Sequence, residues 1–131
     1  MGPDVSPAGD SQPVAAPFNS SPGSPFFTLG VEEDGSTLRL RLTGELDWGS
    51  VGRVDAALER ACDTATTHVV LDLEGLSFLD LAGLRAILRA HERSQDERFE
   101  VLVVRPRGLA NRVFTLTRAG ERLNMVDRFP A

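Results

Sequence analysis

The feature that constrains this chain most is a pair of apolar runs. His68-Val69-Val70-Leu71-Asp72-Leu73 and Phe99 followed by Val101-Leu102-Val103-Val104 are nearly continuous in large aliphatic side chains, and strands of that kind are covered on both faces. Between them Leu84, Ile87, Leu88 and His91 recur at helical spacing, with Arg85, Arg89, Glu92 and Arg93 on the opposite side. Two buried strands joined through one helix form a βαβ unit, in which the strands run parallel and the connection is right-handed. The first strand of the pair is expected at the centre of the sheet.

Upstream the period drops to two. Phe27, Leu29 and Val31 alternate with Thr28 and Gly30, and Leu38, Leu40 and Leu42 alternate with Thr37, Arg39 and Arg41. Glu33-Asp34-Gly35-Ser36 lies between them, and an Asp-Gly step can take the positive φ values of a tight turn, so the two strands are expected to form an antiparallel hairpin. Val51, Val54, Leu58, Ala61 and Cys62 then fall on one helical face, with Asp47 or Ser50 placed to cap the start and an end expected near Asp63-Thr64. Gly75 to Asp80 read as a connection. Gly108 opens a third helix carrying Leu109, Val113, Phe114 and Leu116, with Gly120 in C-cap position. The segment from Leu123 to Phe129 suits a short helix or an edge strand equally. The order is β-β-α-β-α-β-α, an α/β layer of four or five mixed strands with helices covering it.

Residues 1–25 follow other rules. They hold six of the eight prolines, five serines and three glycines, with Val5, Val14 and Phe18 as the large apolar groups, too little surface to offset the entropy of ordering. A disordered tail is expected there, with Phe18 its one candidate anchor, and a single folded domain over 26–131. With 41% apolar and 25% charged residues, that domain has the composition of a globular core. The net charge of −5, with all fourteen basic residues Arg, argues against nucleic acid, which is bound through a concentrated basic face. No run reaches the roughly 18 apolar residues of a membrane span, and the N-terminus lacks the basic-then-apolar order of a secretory signal. A cytoplasmic protein without a membrane span is expected.

Few residues offer chemistry. Cys62, the single cysteine, excludes an internal disulfide and a Cys-based zinc site, and on an apolar stripe with no basic group near it in sequence it reads as inert packing. His68 begins a strand and His91 lies toward an apolar helix side, so both read as structural or solvent-facing, and no metal-ligand spacing occurs. No enzyme activity, metal or cofactor is expected. The Arg105-Pro106-Arg107-Gly108 turn joins a strand to a helix N-terminus, where free N–H groups and two guanidinium groups could hold an anion; solvated arginines at a helix start are the plainer reading. More informative is Phe78-Leu79-Asp80-Leu81-Ala82-Gly83-Leu84. Asp80 stands at the N-cap, able to accept from the N–H of Ala82 or Gly83 at the positive end of the helix dipole. Leu81 falls at the margin of the apolar stripe, free to pack inward or to stand exposed. Gly83 would let another chain, or the sheet beneath, approach the backbone closely.

Gly44-Glu45-Leu46-Asp47 before a helix, then Val69-Val70-Leu71-Asp72-Leu73, then Phe78-Leu79-Asp80-x-Ala82-Gly83-Leu84, in this order and spacing, resemble STAS domains, the fold of bacterial anti-sigma-factor antagonists. The resemblance spans residues 26–129. It implies a binding protein, not an enzyme: the family's antagonists dock on an anti-sigma factor, usually a serine kinase, and so free a sigma factor. The residue after the loop aspartate is typically Ser or Thr in that family, and its phosphorylation by the anti-sigma kinase switches binding off. Here it is Leu81, which has no hydroxyl. The resemblance therefore implies a partner surface built from Asp47, Asp80, Leu81, Ala82, Gly83, Leu84 and Arg85 that cannot be phosphorylated at the usual position; Ser77 and Ser94 flank the motif but do not match the acceptor. Two alternatives stand beside this reading. One is a scaffold that self-associates as a homodimer or joins a signalling or lipid-transport assembly. The other is a sensor of a small anionic ligand or nucleotide at Arg105, Arg107 and Gly108. The absence of Lys beside abundant Arg, Ala and Gly matches the coding bias of a high-GC bacterium.

Overall fold

In a computed structural model the described residues are 26–62, 65–97 and 99–128. The expected tail over 1–25, the expected helix end at Asp63-Thr64 and Phe129 lie outside them. The strands are β1 (Phe27–Asp34), β2 (Thr37–Leu46), β3 (His68–Leu79), β4 (Glu100–Val104) and β5 (Met125–Val126), and the helices are α1 (Val51–Cys62), α2 (Leu81–Glu97) and α3 (Gly108–Thr117), with one 3-10 turn over Ala119–Arg122. One five-stranded sheet runs in sequence order, β1-β2-β3-β4-β5. The hairpin is antiparallel and every other neighbour is parallel. Gly35 takes the positive φ, 62°, that the hairpin turn needs.

Strand order that follows the chain, with right-handed crossovers, places successive helices on the same side. The core reflects this. Leu38, Leu40 and Leu42 of β2, Val69, Leu71 and Leu73 of β3, and Val101 and Val103 of β4 pack in one cluster with Val54 and Leu58 of α1, Leu84 and Ile87 of α2, and Ala110 and Phe114 of α3. A fully buried Phe or Leu contributes about 1.5–3 kcal/mol, so this single layer of contacts carries most of the fold.

β3 is buried on both faces, as expected, but among the described residues helices cover only one. On the other face Val70 and Asp72 alternate with the core residues and pair laterally with Arg39 and Arg41 of β2. The Asp72 carboxylate, 4% exposed, takes Arg39 at 2.7 Å and lies 3.7 Å from Arg41 Nε. It also accepts the Glu74 N–H at 3.1 Å. Arginine stems lie along apolar surface while their heads find charge, so this carboxylate draws a cover over the sheet where no helix lies.

Three local expectations are corrected. Gly75 to Asp80 are not a connection: β3 continues to Leu79 because its pairing with β2 resumes after two register shifts. The α3 C-cap is Arg118, not Gly120. Arg118 adopts the left-handed conformation (φ 60°) and its N–H donates to the Thr115 carbonyl, while Gly120 lies inside the 3-10 turn beside Met125. The final segment is both a turn and an edge strand. Cys62, finally, does have a basic neighbour: Arg93 Nη2 sits 3.1 Å from its Sγ. That bond, more than the nearby Glu59, holds the Arg93 guanidinium above its ordinary pKa.

Two stability measurements check this account. Asp72→Ala strands two guanidinium groups on the sheet and is expected to lose about 2–4 kcal/mol in denaturant unfolding; a loss below the range of ordinary surface substitutions contradicts it. Arg118→Gly relieves a left-handed non-glycine residue and should gain up to about 1 kcal/mol, less the small term of an exposed pair with Glu121.

Candidate partner-docking junction

The site begins with the way β2 and β3 end. Their pairing shifts between Arg41 and Thr43 and again between Gly44 and Glu45, then resumes as Glu45 with Phe78 and Leu46 with Leu79. Gly44 permits the second shift. Its φ is 95°, and a Cβ there would lie 1.8 Å from the Phe26 carbonyl oxygen, a separation no side chain tolerates. The last rung is the Asp80 N–H donating to the Leu46 carbonyl at 3.2 Å. The loops that open α1 and α2 therefore start from adjacent points at the carboxyl end of the sheet.

Each loop is closed by an aspartate. Asp47 Oδ1 accepts from the N–H groups of Gly49 at 3.0 Å and Ser50 at 3.2 Å, and the buried Ser50 Oγ accepts from the Asp47 N–H at 3.0 Å. Both residues named as candidate caps of α1 thus act together. Asp80 caps α2 as expected, Oδ1 accepting from the Gly83 N–H at 2.8 Å. Its other oxygen, Oδ2, accepts from the Trp48 N–H in the α1 loop at 3.4 Å. One carboxylate bridges the two loops, and its charge at the start of a 17-residue helix is favoured by the helix dipole.

Of the residues expected to form the surface, Leu81, Ala82 and Arg85 reach it, and Leu81 is 59% exposed. Asp47 and Asp80 are half-buried, their oxygens engaged by backbone N–H groups; they build the junction more than they present it. Gly83 and Leu84 are buried and turn toward the sheet. A Cβ on Gly83 would lie 2.5 Å from the Leu46 carbonyl oxygen and 3.2 Å from Leu79 Cβ, so the missing side chain serves packing of α2 on the strand ends and not the approach of a partner.

Sequence reasoning passed over Trp48 and Phe78, exposed by 76% and 45%. Trp48 had a legible signal: it stands in the Asp47-Trp48-Gly49-Ser50 cap loop, off every apolar stripe, where a large side chain has no core to enter. Phe78 had none, because its outward turn follows from the shifted pairing. Ser77, in the same strand, is exposed and donates to the Gly44 carbonyl at 3.2 Å, while Ser94 is buried and donates to the His91 carbonyl.

The α3 entrance is occupied by the protein's own acids. Arg105 pairs with Asp127 at 3.3 Å and Arg107 with Glu74 at 2.8 Å; an anion beside Gly108 would have to displace those carboxylates. His68 is exposed, near Thr67 and Glu100, and His91 is half-buried on α2. Among the described residues no group of His, Cys, Asp and Glu is disposed to hold a metal ion, and no helix is long and apolar enough to cross a membrane.

A five-stranded mixed sheet in chain order, ending in two aspartate-closed loops with apolar side chains standing out between them, defines an α/β binding module. The sequence model of the STAS domain matches residues 28–129, and the chain belongs to that family. An anti-sigma factor antagonist from Mycobacterium paratuberculosis has the same fold, with a TM-score of 0.70 and 24% identity over 84% of this chain and 92% of its own. The anti-sigma factor antagonist SpoIIAA in its unphosphorylated form superposes with a TM-score of 0.62 at 24% identity, over 78% of this chain and 90% of its own. The phosphorylated form of SpoIIAA, a Bacillus cell fate determinant, gives 0.63 at 25% identity, over 78% and 92%. Antagonists of this family are regulatory proteins and not enzymes.

Two substitutions test the construction of the junction. Gly83→Ala forces α2 off the strand ends and should cost about 1–3 kcal/mol. Asp80→Ala removes the cap and the bridge to Trp48 and should cost about 1 kcal/mol, with broadened or shifted amide signals at Trp48 and Gly83. Unchanged signals at Trp48 would show that the bridge does not fix that loop.

Proposed function

We propose that this protein is an anti-sigma-factor antagonist of a bacterial cytoplasm, which docks on a serine-kinase-type anti-sigma factor and so releases a sigma factor, and that it does so without the phosphorylation switch at the α2 junction. The observation that carries the reading is Leu81: more than half exposed, it follows Asp80 at the start of α2 and has no hydroxyl to receive phosphate. SpoIIAA exists in phosphorylated and unphosphorylated forms. Phosphate on a side chain at such a position adds about −1.5 to −2 charge to a surface that a partner must desolvate. Leucine leaves that surface apolar at all times, and Trp48, held beside it through the Asp80 bridge, extends it. Exposed tryptophan and leucine side chains that lose water on contact are the usual source of interface energy.

Binding of purified anti-sigma factors from the same organism, measured by calorimetry with and without ATP, tests this. Leu81→Asp is expected to weaken the complex roughly ten- to a hundredfold, and incubation with the kinase and ATP should leave the wild-type mass and affinity unchanged. Binding indifferent to Leu81→Asp, or phosphate at Ser77 that controls the complex, overturns the reading. Trp48 is the single tryptophan, so a blue shift of its emission on mixing reports directly whether this loop is covered.

A further inference from the structure

The two edges of α2 face different neighbours. On one, Arg89 and Arg93 reach Asp55 and Glu59 of α1, each at 3.0 Å. On the other, Glu92 meets Arg122, in the turn after α3, at 3.6 Å, and the helical repeat places Leu81 and Leu88 on that same edge. For α3, Asn111 is tied to Arg105, which also holds Asp127 beyond β5. The opposite edge of α3, bearing Leu109, Val113 and Leu116, is therefore the one turned toward α2. Leu109 and Leu116 are 70% and 73% exposed, while Leu88 and Val113 are half-buried against the core.

Both helices start at the carboxyl end of the sheet, so Leu81 and Leu88 on α2 run level with Leu109 and Leu116 on α3. At the rise of an α-helix, each pair spans about 10.5 Å. The result is a trough with Leu88 and Val113 on its floor and Leu81, Leu109 and Leu116 on its banks. Arg85 and Arg112 stand exposed along it, and neither pairs with a carboxylate among the described residues.

We propose that this trough receives an amphipathic helix of the anti-sigma factor, with an apolar stripe at i, i+3 or i+4, and i+7 and carboxylates along both flanks. The inference rests on the docking reading and names the element of the partner that lies beside Leu81. Spacing supports it, because apolar residues seven apart on an incoming helix also span about 10.5 Å and match the two leucine pairs. Charge supports it too: guanidinium groups without carboxylates of their own attract an acidic flank and repel a basic one. Leu81 belongs to both surfaces, so the trough continues the junction.

Two synthetic helical peptides with the same leucine stripe, one flanked by Glu and its twin by Lys, are titrated into the ¹⁵N-labelled full chain and followed by amide shifts. The Glu peptide is expected to move the amides of residues 81–92 and 108–117 saturably and to bind roughly tenfold more tightly than the Lys twin. Leu116→Asp and Arg112→Glu, both at exposed positions, should each weaken it roughly tenfold with the rest of the spectrum unchanged. Shifts scattered over other elements, equal affinity of the two peptides, or indifference to both substitutions overturn the trough. The anti-sigma factor separates the two readings. Binding lost in Leu81→Asp but kept in Leu116→Asp removes the trough and leaves the docking junction, whereas a Glu peptide seated in the trough beside an anti-sigma factor indifferent to Leu81→Asp removes the docking junction alone.

Discussion

The hydrogen bond from the Asp80 N–H to the Leu46 carbonyl, at 3.2 Å, fixes where two helices begin. Parallel strands of unequal length would release their loops at different heights, and the loops after β2 and β3 could not then share a carboxylate. The two shifts in pairing bring β2 and β3 to a common end, and Gly44 is the residue whose missing side chain allows them. Only with that end in place can Asp80 cap α2 with one oxygen and hold the Trp48 loop with the other. The functional surface is thus a consequence of strand register, set by backbone hydrogen bonds before any exposed side chain matters.

The bare face of the sheet shows a different economy. Val70 and Val104 are buried there without a helix above them among the described residues, and the carboxylate of Asp72 gathers Arg39 and Arg41 across the surface. A buried ion pair is seldom better for stability than apolar residues of equal volume. Its value lies in register: a slip of β3 by one residue would carry Asp72 into the helix-side core and expose Leu71 and Leu73. The acid in the midst of an apolar strand, which looks like a flaw in the sequence, makes every other pairing unfavourable.

What could be read from the sequence follows from which interactions are local. The βαβ unit, the hairpin turn at Gly35 and the Asp80 cap depend on residues near one another in the chain, and their periods or turn chemistry are written in a short window. The extension of β3 through Ser77 and Phe78 is not, because it depends on β2 offering Glu45 and Leu46 across two bulges. The Arg118 C-cap was hidden for a related reason: tertiary packing around Phe114 and Met125 holds a non-glycine residue left-handed and leaves the nearby glycine in an ordinary turn. At the site, the role of Gly83 stayed open in the sequence because both a partner and the strand end beneath could demand the same bare backbone; the position of Leu46 decides it. Arg93 beside Cys62 is an inter-helix contact that no spacing rule reveals.

Exposed apolar surface is where the fold departs from what stability alone would select. Phe26, Trp48, Phe78 and Leu81 all stand out at the carboxyl end of β2 and β3 or in the loops that leave it, and Leu109 and Leu116 stand out along α3. Single exposed leucines are ordinary, but a grouped set at one end of a domain marks a surface that is meant to be covered. A hydroxyl after the helix-capping aspartate would make that end conditional, since phosphate there brings charge into the interface. Leucine makes it unconditional. Control over such a protein then has to come from its amount, from competition for its partner, or from hydroxyl groups outside the α2 start, because the position where charge would be most disruptive to docking carries a side chain that cannot acquire it.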